Sequence, residues 1–243
     1  MKNKMRRGGR QIPNMVTFAN LLCGVATIML ATEGHFLPGA ALIFIAGVLD
    51  VLDGALARRL RGVDLFGEAL DSLADIISFG VAPALLLYRG FLHPWPVLGW
   101  VVAGGFVVCG AWRLARFAAT EQVRFFQGLP ITMAGMSVAS LLFYPDFWSP
   151  RLAALVTLVL AVLMVSHLRF PKVPTLFRPL PRPARLLVAL PVIPASVAFT
   201  LPNVIIALGL AYFAIALLEN LGWWEAVADG PVGDAVARLR ERH

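Results

Sequence analysis

Long apolar stretches, separated by short polar or basic segments, run through most of the 243-residue chain. Crossing the hydrocarbon core of a bilayer as a helix takes about 17–25 apolar residues. Prolines at 191 and 194 predict a kink in the seventh stretch. The pattern predicts an all-α, polytopic membrane bundle with eight spans, at 15–31, 39–57, 67–88, 97–117, 131–144, 152–167, 186–201 and 204–218.

The composition supports this membrane assignment. Apolar residues make up 59% of the chain and charged residues 14%, whereas a soluble domain averages about half and about a quarter. The mean hydropathy is +0.78, so little length remains for a sizeable soluble domain. Cys23 and Cys109 both fall inside apolar stretches and belong to no Cys/His cluster, so we expect buried free thiols.

Basic residues are distributed unevenly between alternate loops. If the N-terminus lies in the cytoplasm, every lysine and arginine except Arg89 and Arg151 falls in a cytoplasmic segment, as the positive-inside rule requires. An even number of spans then leaves both termini in the cytoplasm. This topology accounts for the net charge of +7. We expect no nucleic-acid partner, because no polar segment interleaves basic with aromatic residues.

Three segments are expected along the chain. Residues 1–14 form a basic segment, either a short helix on the surface of anionic lipid or a disordered tail. Residues 15–220 hold the membrane-spanning bundle, and residues 221–243 form a polar C-terminal tail. Membrane lipids are therefore expected partners of most of the chain.

Four aspartates lie in or at the ends of the second and third spans. Uncompensated carboxylates near hydrocarbon cost about 2.5–3.5 kcal/mol each, so four together require cations. Asp50 and Asp53 are one turn apart on one face of the second span, and Asp71 and Asp75 form an i, i+4 pair on the third. The short basic loop between these spans brings both pairs together at the cytoplasmic end.

The chemistry of this cluster favours hard divalent cations. Oxygen ligands alone suit Mg²⁺ or Mn²⁺, and two ions sharing bridging carboxylates are expected. Gly54 and Gly67 leave room for a substrate, and Arg58, one turn beyond Gly54, reaches a phosphate oxygen. Close helix packing is the alternative role of each glycine, and an ion or proton pathway is the alternative for the aspartates.

These residues occur in one ordered string, DVLDGALARRLRGVDLFGEALDSLAD, which begins at Asp50 and ends at Asp75. The string resembles the signature of the CDP-alcohol phosphatidyltransferase family, D-x2-D-G-x2-A-R-x8-G-x3-D-x3-D. Eight positions match it without a gap or substitution: Asp50, Asp53, Gly54, Ala57, Arg58, Gly67, Asp71 and Asp75. The resemblance extends to about residue 170.

The resemblance implies an enzyme that transfers a phosphatidyl group from a CDP-activated lipid to an alcohol and releases CMP. It implies that Asp50, Asp53 and Asp71 bind metal and that Asp75 combines metal binding with the role of general base. The residues implied to contact the CDP-lipid are Gly54, Ala57, Arg58, Gly67 and Thr17. A homodimer is also implied, with its active site on the cytoplasmic side of a bacterial or archaeal plasma membrane.

Flanking segments are similar to the phosphatidylserine synthase branch of that family. They are DSLADIISFGVAPALLLY, WRLARF, GLPITMAG and MVSHLRFP, and they imply CDP-diacylglycerol and L-serine as substrates. Arg113 and Arg116 are candidates to bind the carboxylate of serine or the lipid phosphate, with topology-setting anchors as the alternative. Ser78 is a candidate for the acceptor pocket, with helix packing as its alternative.

The sequence also permits other interpretations of the function. Ala118 stands where the branch usually has asparagine, and Ile131 and Thr132 stand where it has a second proline. A sister transferase would use glycerol phosphate, inositol phosphate or choline. An ion-coupled transporter or metal channel would place its carboxylates near the bilayer midplane, whereas Asp53 and Asp71 lie close to the basic loop. A structural scaffold would leave the four aspartates unexplained.

Overall fold

A computed structural model describes residues 2–60, 65–119 and 126–170, with side chains at 14–56, 65–119 and 128–168. The chain divides into two compact units. One unit comprises Met1–Gln122 with Leu129–Ser166, and the other comprises Val123–Gly128 with His167–His243. The predicted spans at 186–201 and 204–218, the polar tail and the loop at 61–64 lie outside the described residues.

The described part of the chain is all-α apart from two very short strands. Its long helices are α1 (Lys2–Thr32), α2 (Phe36–Leu60), a continuous helix from Leu65 to Leu92, and α5 (Pro96–Ala119). Four stretches in them are long and apolar enough to span a membrane, at Asn14–Thr32, Phe36–Leu56, Leu65–Leu92 and Pro96–Ala119. The all-α class is confirmed, and these stretches match the first four predicted spans to within a few residues. Because α1 begins at Lys2, the basic N-terminal segment continues directly into the first span.

Two shorter apolar helices occupy the places of the fifth and sixth predicted spans. One runs from Ile131 to Phe143 and consists of α6 (Ile131–Ser140) and a closing 3₁₀ turn. The other, α7, runs over Pro150–Val165. Ser149 caps α7 by accepting a hydrogen bond from the backbone N–H of Leu152, and proline follows at the first helical position. Both are shorter than the usual membrane-spanning length.

The helix from Leu65 to Leu92 is irregular where it carries polar residues. It is α-helical in α3 (Leu65–Asp75) and α4 (Ala82–Leu87), and it widens into π-helical turns at Ile76–Val81 and Tyr88–Leu92. Pro83 has no N–H to donate to the carbonyl of Phe79, so a regular α-helical ladder is impossible there. Single π-turns are uncommon and often accompany functional sites, and this one follows Asp75 directly.

A tight turn folds α2 back along α1. Gly34 adopts a positive φ of 83°, and the N–H groups of Gly34 and His35 donate to the carbonyls of Ala31 and Leu30. This pair of bonds is the Schellman arrangement that ends many helices, and glycine suits its left-handed position. The antiparallel packing that results sets α1 beside α2, where Thr17 of α1 meets Asp53 of α2.

Two glycines let neighbouring helices approach the first π-helical turn closely. A Cβ atom at Gly24 of α1 would lie 2.8 Å from the Cα of Ser78, and one at Gly135 of α6 would clash with the carbonyl oxygen of Phe79. Neither position tolerates a side chain without a shift of the backbone. The segment after Asp75 is therefore held tightly between α1 and α6.

The described part of the second unit contains a small β-ladder. Phe126–Gln127 pairs antiparallel with Arg169–Phe170. Gly128, which has a positive φ of 80°, donates its backbone N–H to the carbonyl of Leu168 at 2.9 Å. Backbone N–H and C=O groups in these two segments are thus paired across the ladder and not within a helix.

Candidate metal centre and active site

Three carboxylates from two helices meet where α2 finishes and α3 begins. One oxygen atom from each of Asp50, Asp53 and Asp71 lies within 4.8 Å of the other two. Asp53 is buried, while Asp50 and Asp71 are half-buried. Carboxylates this close repel one another unless a cation or a proton offsets their charge. The expected meeting of aspartates from the second and third spans is therefore observed for these three.

Hydroxyl groups from two other helices hold the carboxylates of α2. Thr17 of α1 donates a hydrogen bond to Oδ2 of Asp53 at 2.7 Å, and both side chains are buried. Thr132 of α6 donates to Oδ2 of Asp50 at 3.3 Å. Such outer partners fix the orientation of ligating carboxylates. Sequence reasoning singled out Thr17 for the nucleotide and noted Thr132 only as a departure, so neither contact was anticipated.

Two carboxylate oxygens of α3 lie buried without a hydrogen-bond partner among the described residues. They are Oδ1 of Asp71 and Oδ1 of Asp75. An unsatisfied buried polar atom costs about 1–3 kcal/mol, and a native fold retains one where a ligand or a reaction uses it. Hard oxygen donors with spare lone pairs suit Mg²⁺ or Mn²⁺. The residues present therefore fit a divalent cation at this end of the bundle.

Asp75 occupies a distinct place beside the three convergent carboxylates. It is the last residue of α3, is only 8% exposed, and lies outside the set whose oxygens converge within 4.8 Å. It nevertheless interacts electrostatically with Asp50 and Asp71, and the positive charge of Arg113 acts on both Asp50 and Asp75. Within the described residues, the geometry separates a three-carboxylate centre from a fourth, more buried carboxylate.

The two candidate arginines of α5 differ in their surroundings. Arg113 is 8% exposed and belongs to the electrostatic environment of the aspartates. The guanidinium of Arg116 instead donates to backbone carbonyls at the C-terminal end of α7, those of Met164, Val165 and Ser166, at 3.0–3.4 Å. Carbonyls in a last helical turn lack intrahelical partners. These bonds favour a structural role for Arg116 over contact with a substrate.

Ser78 lies in a helix contact. Its side chain is fully buried, and its hydroxyl donates to the backbone carbonyl of Asn20 at 2.9 Å. This placement favours the helix-packing alternative, because a residue without accessible surface does not line a pocket. Asn20 is also fully buried, and neither polar atom of its side chain has a partner among the described residues. Asn20 was missed, although an asparagine within an apolar span is itself a signal.

The remaining signature residues flank the cluster. Gly54 follows Asp53 on α2, and Gly67 lies in the first turn of α3; both are half-buried. Ala57 and Arg58 continue α2 as helix, and their side chains lie outside the described ones. Contacts of these four residues, and of Thr17, with a CDP group stay predictions.

Comparisons with known proteins connect this geometry to a family. The chain is 37% identical over 161 residues to the CDP-diacylglycerol–serine O-phosphatidyltransferase of Bacillus subtilis, which covers 66% of this chain and 89% of that protein. It is 34% identical over 165 residues to the archaetidylserine synthase of Methanothermobacter thermautotrophicus, covering 67% and 70%.

A solved structure also shows some likeness. The phosphatidylinositol phosphate synthase of Mycobacterium tuberculosis with CDP-DAG bound is 23% identical, covers 68% of this chain and 88% of its own, and has a TM-score of 0.49. The family model for CDP-alcohol phosphatidyltransferases matches residues 10–178, which include the aspartate cluster and both threonines bonded to it. The chain belongs to the CDP-alcohol phosphatidyltransferase family.

Proposed function

We propose that this enzyme transfers a phosphatidyl group from CDP-diacylglycerol to the hydroxyl of L-serine, giving phosphatidylserine and CMP. The observation that carries the proposal is the convergence of Asp50, Asp53 and Asp71 beside the buried Asp75, inside the family signature. The choice of serine is supported by the relatives, because the two reported above are named as synthases of serine-containing lipids.

The carboxylate cluster is proposed to hold Mg²⁺ or Mn²⁺, with two ions as the expected number. Asp50, Asp53 and Asp71 supply the convergent oxygens, and Asp75 adds a carboxylate to the second site. When bound, such ions neutralise the pyrophosphate of the lipid donor and stabilise the departing CMP. The residues proposed to contact the CDP moiety are Gly54, Ala57, Arg58, Gly67 and Thr17.

Asp75 is proposed as the general base. Its Oδ1 is buried and has no hydrogen-bond partner among the described residues, so it is available to accept a proton. As the serine oxygen attacks the lipid-side phosphorus, the hydroxyl proton passes to Asp75 and the bond from phosphorus to the CMP oxygen breaks.

Arg113 is proposed to bind the acceptor or the lipid phosphate. It combines burial with a position beside Asp50 and Asp75, and a guanidinium pairs well with a carboxylate or phosphate. Serine brings a carboxylate, whereas choline brings none. This contact would therefore favour serine over choline.

The proposed topology has eight spans, with both termini and the active site on the cytoplasmic side of the plasma membrane. The distribution of basic residues supports this orientation. Asp71 lies six residues into a 28-residue apolar helix, about 9 Å from its start at 1.5 Å per residue. This depth favours a site near one surface over the midplane site of a transporter. A homodimer embedded in lipid is the proposed assembly.

A product assay with a panel of alcohols tests the function. The purified chain is supplied with CDP-diacylglycerol and Mn²⁺ or Mg²⁺, and CMP release and lipid mass are measured. Serine is expected to give CMP and phosphatidylserine in equal amounts. Glycerol phosphate, inositol phosphate and choline are expected to give little product. Preferred use of one of these three would replace serine by a sister acceptor, and no CMP with any alcohol would reject the reaction.

The role of Asp75 is tested by Asp75→Asn, which keeps the shape and removes the proton acceptor. We expect folded protein with turnover lowered by about 10²–10⁴-fold, the usual contribution of a general base. Asp146→Asn is the matched control, since Asp146 is exposed and lies between α6 and α7, away from the cluster. Normal turnover in Asp75→Asn would rule out its role as base.

A further inference from the structure

We infer that Thr132 is a positioning residue of the metal centre, because its hydroxyl orients Asp50 for cation binding. The inference rests on the proposed function, since it concerns the same carboxylates. Thr132 lies in α6, a helix that contributes no carboxylate to the cluster. It is separated from Asp50 by 82 positions in sequence, so the contact is a product of the fold.

The contact completes a symmetrical arrangement around α2. Asp50 accepts a hydrogen bond from Thr132 on α6, and Asp53 accepts one from Thr17 on α1, in both cases at Oδ2. A hydrogen bond at Oδ2 restrains each carboxylate from rotating about its terminal bond. Orientation by outer hydrogen-bond donors is a general way of tuning a metal site.

The packing of α6 explains why the hydroxyl reaches Asp50. Gly135, one turn after Thr132, packs so closely against the backbone of Phe79 that a Cβ atom there would clash with the carbonyl oxygen. On the other side, a Cβ at Gly47, one turn before Asp50, would lie 2.7 Å from Sδ of Met136. The backbone contact at Gly135 leaves α6 little freedom to shift there, whereas the flexible side chain of Met136 can give way at Gly47. The hydroxyl of Thr132 is thus presented by a rigid element.

Loss of this hydroxyl should weaken cation binding more than it weakens the chemical step. Removing an outer hydrogen-bond partner lowers metal affinity by about 10–100-fold in well-studied sites. Proton transfer at Asp75 does not use Thr132. The metal concentration for half-maximal rate should therefore rise, while kcat at saturating metal changes by less than about tenfold.

The experiment measures Mn²⁺ binding to the purified, substrate-free protein, using the electron paramagnetic resonance signal of free Mn²⁺. Thr132→Val removes the donor, and Thr132→Ser restores it in a smaller side chain. Thr157→Val is the matched control, because among the described residues the hydroxyl of the buried Thr157 bonds the carbonyl of Ala153 in its own helix. If Thr132→Val does not fold, Thr132→Ala replaces it.

The inference predicts that Thr132→Val weakens Mn²⁺ binding by about 10–100-fold, while Thr132→Ser stays within a few-fold of the parent and Thr157→Val is unchanged. Parent-like Mn²⁺ affinity in a folded Thr132→Val or Thr132→Ala protein would overturn it. Asp50→Asn distinguishes a failure of the role of Thr132 from a failure of the proposed metal centre. If Asp50→Asn loses Mn²⁺ and Thr132→Val does not, only the role of Thr132 fails; if Asp50→Asn binds normally, the proposed metal centre fails as well.

Discussion

The two ends of the helix from Leu65 to Leu92 differ in whether their polar side chains have hydrogen-bond partners. At its second end, Tyr88 accepts a hydrogen bond from Nε1 of Trp100 at 3.2 Å, and a terminal nitrogen of Arg89 donates to the carbonyl of Thr32 at 3.1 Å. At its first end, Oδ1 of Asp71 and Oδ1 of Asp75 are buried without such a partner in the described part of the chain. Nε of Arg89 is an exception at the second end.

Aromatic side chains strengthen the second end further. The guanidinium of Arg151 lies 5.8 Å from the ring centre of Trp95, and Tyr88 packs edge-on against Trp100. Aromatic residues in such positions are typical of the membrane–water interface. One end of the helix therefore satisfies most of its polar groups, while the other leaves buried carboxylate oxygens without a partner among the described residues. Such atoms cost stability, and a loss of stability of this kind is common at functional sites.

The largest expected effect comes from Asp71→Asn. The change removes a cation ligand and one of three repelling charges, so turnover should fall by about 10²–10³-fold or more. The thermal stability of the metal-free protein should be unchanged or higher. Asp146→Asn is the control, since Asp146 is exposed and lies between α6 and α7, whereas Glu68 on the same helix acts on the charge of Asp71. Turnover and thermal unfolding in detergent are measured together. An Asp71→Asn variant that is less stable yet fully active would mean that Asp71 stabilises the fold and does not serve the reaction.

Gly135→Ala should have an intermediate effect. The added Cβ meets the backbone of Phe79, so we expect destabilisation by about 1–3 kcal/mol and reduced turnover, because α6 must move with Thr132. Gly104→Ala is the matched control: nothing lies within 4 Å of a Cβ at Gly104, and alanine there should raise helix stability by up to about 1 kcal/mol. Equal unfolding temperatures for the two variants would show that α6 is not held closely.

The smallest expected effect is that of Trp100→Phe at the stable end. It removes the hydrogen bond to Tyr88 and should cost about 0.5–1.5 kcal/mol of stability, with turnover unchanged. Thermal unfolding and the CMP-release assay check both halves of this expectation. A large loss of turnover with little change in stability would mean that the aromatic end takes part in catalysis.

The sequence was sufficient to predict the features that depend on a local pattern of residues, namely the apolar spans and the aspartate pairs. Apolar length located the first four spans, and the i, i+3 and i, i+4 spacing of the aspartates placed Asp50, Asp53 and Asp71 on facing surfaces. The irregular turn after Asp75 was not predicted, although Pro83 removes a regular helical hydrogen bond close to it. Apolar length alone does not distinguish a helix that widens from one that stays regular.

Contacts between distant segments could not be predicted in the same way. Nothing near Thr132 indicates that it meets Asp50, because the contact depends on the close approach of α6 at Gly135. The roles of Ser78 and Arg116 were left open between substrate and structure for the same reason. Their partners, the carbonyl of Asn20 and the carbonyls at the end of α7, are backbone groups that carry no signature in sequence.

Anomalous diffraction from crystals grown with Mn²⁺ locates the ion without reference to activity, and so shows whether α2 and α3 bind it together. We expect a manganese peak bonded at about 2.0–2.3 Å to carboxylate oxygens from both helices, including Asp71 and at least one of Asp50 and Asp53. A peak held by one helix alone, or no peak among these residues at saturating Mn²⁺, would contradict this expectation.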